Sequence, residues 1–183
     1  DAAWITEAEH SRKLLTVTEM FPTEHRRLIR AIASSPPDER RLPDSEIADA
    51  TAHLIAELGV YRADYPSLRT RLLYAADRVA ADHPHLSGAL ATIADLTAQP
   101  GRVSSRLAQT CGAVTAKSVE DSIFYRTARL LSAQEVGGDP ANPSMSANEF
   151  HGINIARARD WPAALTATST HDTKRSEDVR ARI

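Results

Sequence analysis

Thr168-Ser-Thr-His171-Asp172-Thr-Lys174-Arg175-Ser-Glu177-Asp178-Val-Arg180 sets a histidine, a lone acid, an acid pair and three cations within thirteen residues near the C-terminal end of the chain. An ionised Asp accepts hydrogen bonds only, so Asp172 suits a ligand with neighbouring hydroxyl donors, and His171 can add a further hydrogen bond. The plainer reading is a solvated helix N-terminus capped by Asp172 or Thr173. Which applies depends on what holds the stretch.

Immediately upstream, Ala163-Ala-Leu165-Thr-Ala-Thr168 is apolar and Thr-rich, and reads as a short buried strand near 163–170. A strand that stops at His-Asp and opens a charged helix sets those side chains at its C-terminal end, where (β/α)8 barrels build active sites. A second small-residue segment, Cys111-Gly-Ala-Val-Thr-Ala116, also reads as a strand, followed by a helix from Val119 to about Leu131. Gly137 to Pro143 is a Gly/Pro-rich loop, and Ser146-x-x-Glu149 is a capping box for a helix carrying Phe150 and Ile153.

The first hundred residues are helical in pattern. Trp4 to about Met20 places Ile5, Ala8 and Leu15 on one face; Phe21-Pro22 interrupts it, and Thr23 can cap a helix carrying Leu28, Ile29 and Ile32. Ser34 to Pro43 is a loop with a solvated Arg40-Arg41 pair. Asp44 or Ser45 starts a helix with Ile47, Ala50, Leu54 and Leu58 in register, ended by Gly59. Pro66 opens another, with Leu68, Leu72, Leu73, Ala76 and Val79 as its stripe, and a fifth is built on Leu86, Leu90, Ile93 and Ala94. His83 and His85 flank a proline between these two helices, which fits a polar connector better than a metal site. The expected fold class is therefore mainly α with a small α/β part: an α-helical domain over 1–100, then two strand–helix units over 101–183.

Composition narrows the function classes. The 183 residues are 42% hydrophobic and 25% charged, ordinary for a globular protein large enough to bury a sizeable core. A net charge of −2 offers no electrostatic case for nucleic acid or an anionic membrane, and no apolar run approaches membrane length. The single Cys111 excludes an internal disulfide framework and suits a reducing, cytoplasmic compartment. Starting without Met and stopping inside a predicted helix, the chain reads as a piece of a longer protein.

Four blocks carry a resemblance. "TSTHDTKRSEDVRARI" (168–183) is similar to the signature of the maltooligosyltrehalose synthases, a family of the α-amylase superfamily of glycoside hydrolases. Ala116-Lys117-Ser-Val-Glu120-Asp121-Ser-Ile-Phe124-Tyr125-Arg126 resembles that family's "AKGVEDTAFYR", Glu135 to Pro140 matches its "EVGGDP", and Val60-Tyr61-Arg62 resembles its "VYR". Order and approximate spacing agree as well. The resemblance implies that the strands near 111–116 and 163–170 are the sixth and seventh of an incomplete (β/α)8 barrel, and that residues 1–100 are an α-helical insertion. It also implies an intramolecular transglucosylase, a glucosylmutase of trehalose biosynthesis. Such an enzyme converts the reducing-end α-1,4 bond of a maltooligosaccharide into an α,α-1,1 bond.

Retaining glycosyl transfer needs a nucleophilic carboxylate and an acid/base carboxyl roughly 5–5.5 Å apart, and gains from groups that grip ring hydroxyls as charge develops. The resemblance gives Asp172 the last role, as the transition-state-stabilising carboxylate, with His171 bonding hydroxyls of the same ring. Lys117, Glu120, Asp121, Tyr125, Arg126, Lys174 and Arg175 are further candidates for substrate binding. Each also has a structural reading: Glu120 or Asp121 against a helix N-terminus, Tyr125 and Arg126 as helix anchors, and Glu177, Asp178 and Arg180 as partners along one helix. No metal and no cofactor are implied; the partners are the maltooligosaccharide and the rest of the same polypeptide. The nucleophile and acid/base match nothing in residues 1–110, so the chain alone is expected to be inactive. Ser118 departs from the family's glycine, and is strained if that position needs φ > 0.

Three other functions compete. An α-amylase-type maltooligosaccharide hydrolase would use the same His-Asp pair, but the 117–126 and 135–140 blocks argue against it. A metal-dependent phosphohydrolase needs its His-Asp on a helix, and a non-catalytic helical module would act through protein contact alone.

Overall fold

The computed structural model describes residues 2–35, 42–127, 131–139 and 141–183. Helix α1 (Ala2–Leu15) runs into a π-helical turn (Thr16–Met20), and Pro22, at the first helical position where its missing N–H is harmless, opens α2 (Pro22–Ala33). His25, Leu28, Ile29 and Ile32 of α2 face inward at helical spacing. α3 (Asp44–Glu57) starts after extended Pro43, with Asp44 and Glu46 in its first turn, and buries Ile47, Ala50, Leu54 and Ile55. A 3-10 turn at Pro66–Leu68 leads to α4 (Arg69–Asp82), and another at Pro84–Leu86 to α5 (Ser87–Leu96). These helices close around Val17, Leu28, Leu54, Leu72, Leu90 and Ile93, all essentially inaccessible to solvent. Two buried polar side chains of this body, His25 and Lys13, have partners inside it. His25 Nε2 lies 2.7 Å from Thr51 Oγ1, and Lys13 Nζ donates to the Leu58 carbonyl at 2.9 Å, at the end of α3. Leu15 and Leu73 depart from the expected stripes and face solvent.

Two expected strands are absent among the described residues. Cys111–Ala116 belongs instead to helix: α6 (Arg102–Thr115) continues without a break through a π-helical segment (Ala116–Ile123) into α7 (Phe124–Thr127). The cause is visible over a longer window. Val103, Leu107, Cys111 and Val114 recur at helical spacing and are buried, so burying one stripe favours a helix over an extended segment. The small residues serve close approach: a Cβ on Gly112 would sit 3.7 Å from the Tyr61 carbonyl. Ser118 is helical, and its hydroxyl donates to the Val114 carbonyl at 2.6 Å, so no φ > 0 strain arises there.

The expected strand at 163–170 is irregular backbone with Leu165 99% exposed. A strand exists through its pairing, and among the described residues none lies alongside to complete a ladder. Before it, the predicted capping box holds. Glu149 N–H donates to Ser146 Oγ at 3.3 Å and Ser146 N–H to Glu149 Oε2 at 2.8 Å, starting α8 (Ala147–Asp160). Phe150, Ile153 and Ile155 of α8, with Trp161, are all more than half exposed. The last helix, α9 (Glu177–Arg182), begins behind Ser176. Asp172 and Thr173 therefore cap no helix. Arg40, Arg41 and Pro140, and the predicted helix end short of Leu131, lie outside the described residues.

Candidate functional site

A carboxylate–amine cluster forms where the π-helical segment meets the chain after Asp172. The π segment, a form often found at functional positions, carries Lys117, Glu120 and Asp121. The structural reading of Glu120 and Asp121 as partners of a helix N-terminus fails, because they lie deep within the continuous 102–127 helix. Lys174 reaches across fifty-odd residues of sequence to both acids. Its Nζ is 3.1 Å from Glu120 Oε2 and 2.9 Å from Asp121 Oδ1, with side chains 12% and 3% exposed for Lys174 and Glu120. Lys117 Nζ takes the other Asp121 oxygen at 2.6 Å, one turn away on the same helix.

Electrostatics follow from this packing. Burial alone would lower the Lys174 ammonium, but the two carboxylates outweigh it and hold it up at about 12. Lys117 and then Lys174 hold the Asp121 carboxyl below the usual range.

Two residues outside the predicted set complete the cluster. The Tyr61 hydroxyl donates to Glu120 Oε1, and the Gly137 N–H donates to that hydroxyl at 3.2 Å. Glu135 accepts the Lys174 backbone N–H at 2.6 Å and the Val136 N–H at 2.9 Å, and pairs with Arg180 through its other oxygen. Burial would raise the Glu135 carboxyl, but these donors together lower it. Arg175 Nη1 donates to the Gln134 carbonyl at 3.0 Å. Arg180, expected to pair along its own helix, reaches across to Glu135 instead. Tyr61 and Glu135 stood in matched blocks, yet nothing local in either block advertised a partner 39 to 76 residues away.

The remaining candidates are placed as follows. His171 and Asp172 are exposed on a tight turn fastened by the Thr170 and Thr173 hydroxyls; Thr173 Oγ1 donates to the Thr170 carbonyl at 2.8 Å. Asp172 is two residues from Lys174, so the cluster anchors the turn that presents it. Tyr125 is 66% exposed and Arg126 is exposed, both one helical turn beyond the acids. Arg62, beside Tyr61, points away and grips Asp64 at 3.0 and 2.6 Å. The arrangement provides fixed charge and directional donors beside an exposed His-Asp turn, groups that can hydrogen-bond hydroxyls.

No protein-family model matches the chain. Over 171 residues, 93% of its length, it is 44% identical to proteins of Mycobacterium tuberculosis strains CDC 1551 / Oshkosh and H37Rv that bear the provisional name maltooligosyl trehalose synthase. The maltooligosyltrehalose synthase structure from Arthrobacter ramosus superposes with a TM-score of 0.77 at 38% identity over 96% of this chain. The chain matches one segment of the maltooligosyltrehalose synthases. It spans 22% of the length of the Mycobacterium proteins and of the Arthrobacter structure. A glycosyltrehalose synthase structure, 26% identical, superposes at a TM-score of 0.62 over 97% of this chain and 20% of its own.

All four blocks that resemble maltooligosyltrehalose synthases meet at this one cluster. Tyr61 comes from the first, Glu120 and Asp121 from the second, Glu135 and Gly137 from the third, and Lys174 with Arg180 from the last.

Proposed function

We propose that this chain is the segment of a maltooligosyltrehalose synthase that supplies one of three catalytic carboxylates, Asp172, and part of the sugar-binding wall. The carrying observation is the convergence of the four family-like blocks on the Tyr61–Glu120–Lys174 cluster beside the His171–Asp172 turn, in a chain 44% identical to proteins bearing that name. In this reading the α-1,4 bond to the reducing-end glucose breaks, leaving a glycosyl ester on a carboxylate supplied elsewhere in the polypeptide. The anomeric hydroxyl of the released glucose then displaces that carboxylate to give the α,α-1,1 bond. No water is consumed, and one reducing end disappears.

Asp172 accepts hydrogen bonds from two ring hydroxyls and stabilises the positive charge that develops at the anomeric carbon; His171 bonds the same ring. Lys117, Glu120, Asp121 and Lys174 form the polar wall against which the displaced glucose turns, and Tyr125, Arg126 and Arg175 border it. Residues 1–100 serve as the helical insertion, and 101–183 as part of a (β/α)8 barrel that carries its seventh strand. Segment 163–170 becomes a strand once neighbouring strands pair with it. The α6–α7 helix gives the sixth strand no place at 111–116. Nucleophile and acid/base lie in the rest of the polypeptide, without which this chain is inactive, and the enzyme acts in the cytoplasm.

Incubating the full-length protein with maltopentaose while counting reducing ends tests the reaction. Loss of reducing ends with a trehalose-ended product supports the synthase. A rise supports the runner-up, a maltooligosaccharide hydrolase, and overturns the proposal.

A further inference from the structure

We infer that Glu135 is a positioning residue: its carboxylate clamps the loop that carries His171 and Asp172 onto the Tyr61–Glu120 wall. The inference deepens the proposed function and rests on it for its activity readout. The geometry is that of a three-way clamp. Glu135 Oε1 accepts the backbone N–H of Lys174 at 2.6 Å and that of Val136 at 2.9 Å, while Oε2 takes the Arg180 guanidinium from α9. One residue back, the Gln134 carbonyl accepts from Arg175. The chain that follows the reactive turn is thus fixed, at Lys174, Arg175 and Arg180, to a single two-residue step of the chain.

That step is itself held rigidly. Gly137 takes φ +75°, a conformation open to glycine, and passes its N–H to the Tyr61 hydroxyl, which in turn donates to Glu120. Gly138 has its Cβ space filled by the Ala133 and Glu135 carbonyls at 2.9 Å. Glu135 therefore relates two groups of different origin: the wall, through Gly137 and Tyr61, and the His171–Asp172 turn, through Lys174. A group that orients a transition-state carboxylate changes the rate without itself touching sugar, because small misplacement of reacting partners is costly.

The test uses the full-length protein with Glu135→Ala, Glu135→Gln and Arg180→Met beside wild type. Initial rates on maltopentaose are measured with hydrogen exchange across residues 168–180 and thermal unfolding. Glu135→Ala is expected to lower kcat at least tenfold, leave KM within threefold, and speed exchange in 168–180 at least tenfold at an unchanged melting temperature. The Gln amide oxygen still accepts both N–H groups but its NH2 cannot accept from Arg180, so Glu135→Gln should keep exchange protection and kcat well above those of Glu135→Ala. Arg180→Met should fall between, which keeps the clamp testable if the alanine variant does not fold. Wild-type kcat and protection in Glu135→Ala would overturn the clamp, as would a glutamine variant as impaired as alanine. If wild type consumes no reducing ends, the synthase reading falls, and the exchange data alone decide the clamp.

Discussion

Lys174 links Asp172 to the π-helical segment, and its interactions make separable predictions. Replacing it by Met leaves Glu120, 3% exposed, without its cation although Tyr61 still donates to it. Removing one partner of a buried pair costs about 3 kcal/mol, mainly because the other charge stays buried. The expected outcome is a urea midpoint lowered to match. A Lys117→Met change should shift that midpoint far less, because the Lys117 side chain is half exposed and its partner keeps Lys174. Equal losses in the two variants would contradict the account of the cluster. Cys111 has no part in this chemistry. Burial pushes its thiol up to about 12, so it stays a protonated core residue.

At the scale of elements, the Glu135–Gly138 turn is the least forgiving. Gly138→Ala puts a methyl 2.9 Å from two backbone carbonyls, so the turn itself must shift, taking the Glu135 contacts with it. We expect Gly138→Ala to speed hydrogen exchange at Lys174 and Gly137 together, whereas alanine at Gly88, with open space around it, should leave both unchanged. The helices were legible because apolar residues recur every three or four positions and because Pro66 marks a helix start, whereas Pro22, expected only to interrupt, opens α2 ahead of Thr23. Cys111–Ala116 was not, since six small residues fit a strand as well as a helix, and only the longer spacing back to Val103 decides between them. Segment 163–170 has the composition of a strand, but pairing is a property of neighbours rather than of the segment. The His-Asp pair was visible as unusual local chemistry, and the Lys117/Glu120/Asp121 block through its family resemblance. Glu135 and Tyr61 were not, since their roles exist only through contacts 39 to 76 residues away.

At the scale of the whole molecule, two regions differ in character. The α1–α6 body buries its apolar residues, whereas Phe150, Ile153, Ile155, Trp161 and Leu165 all lie open to solvent. No helix among the described residues is long and apolar enough to cross a membrane. The helical body should be sensitive to acid. Burial lowers His25 below 6.5, and burial together with His83 and His10 does the same to His53, against partial opposition from Asp49. The His53 and His83 rings lie 4.1 Å apart, and His85 adds to the row. Groups with lowered folded-state values bind protons more readily when unfolded. Stability is therefore full above about pH 7 and falls as pH drops through 6.5 toward those lowered values. Urea midpoints should be lower at pH 5.5 than at pH 7.5, by less in His53→Gln; a midpoint that rises on acidification would contradict the burial argument.

The central claim is that the exposed Asp172, presented by the Lys174 anchor, is the carboxylate this chain contributes to glycosyl transfer. The most direct measurement compares full-length wild type with Asp172→Asn on maltopentaose, counting reducing ends against time. The account predicts that reducing ends disappear with wild type and that the substitution slows the loss by about 10³-fold or more, as expected when a group acting in the transition state is removed. Equal rates in the two proteins would contradict it.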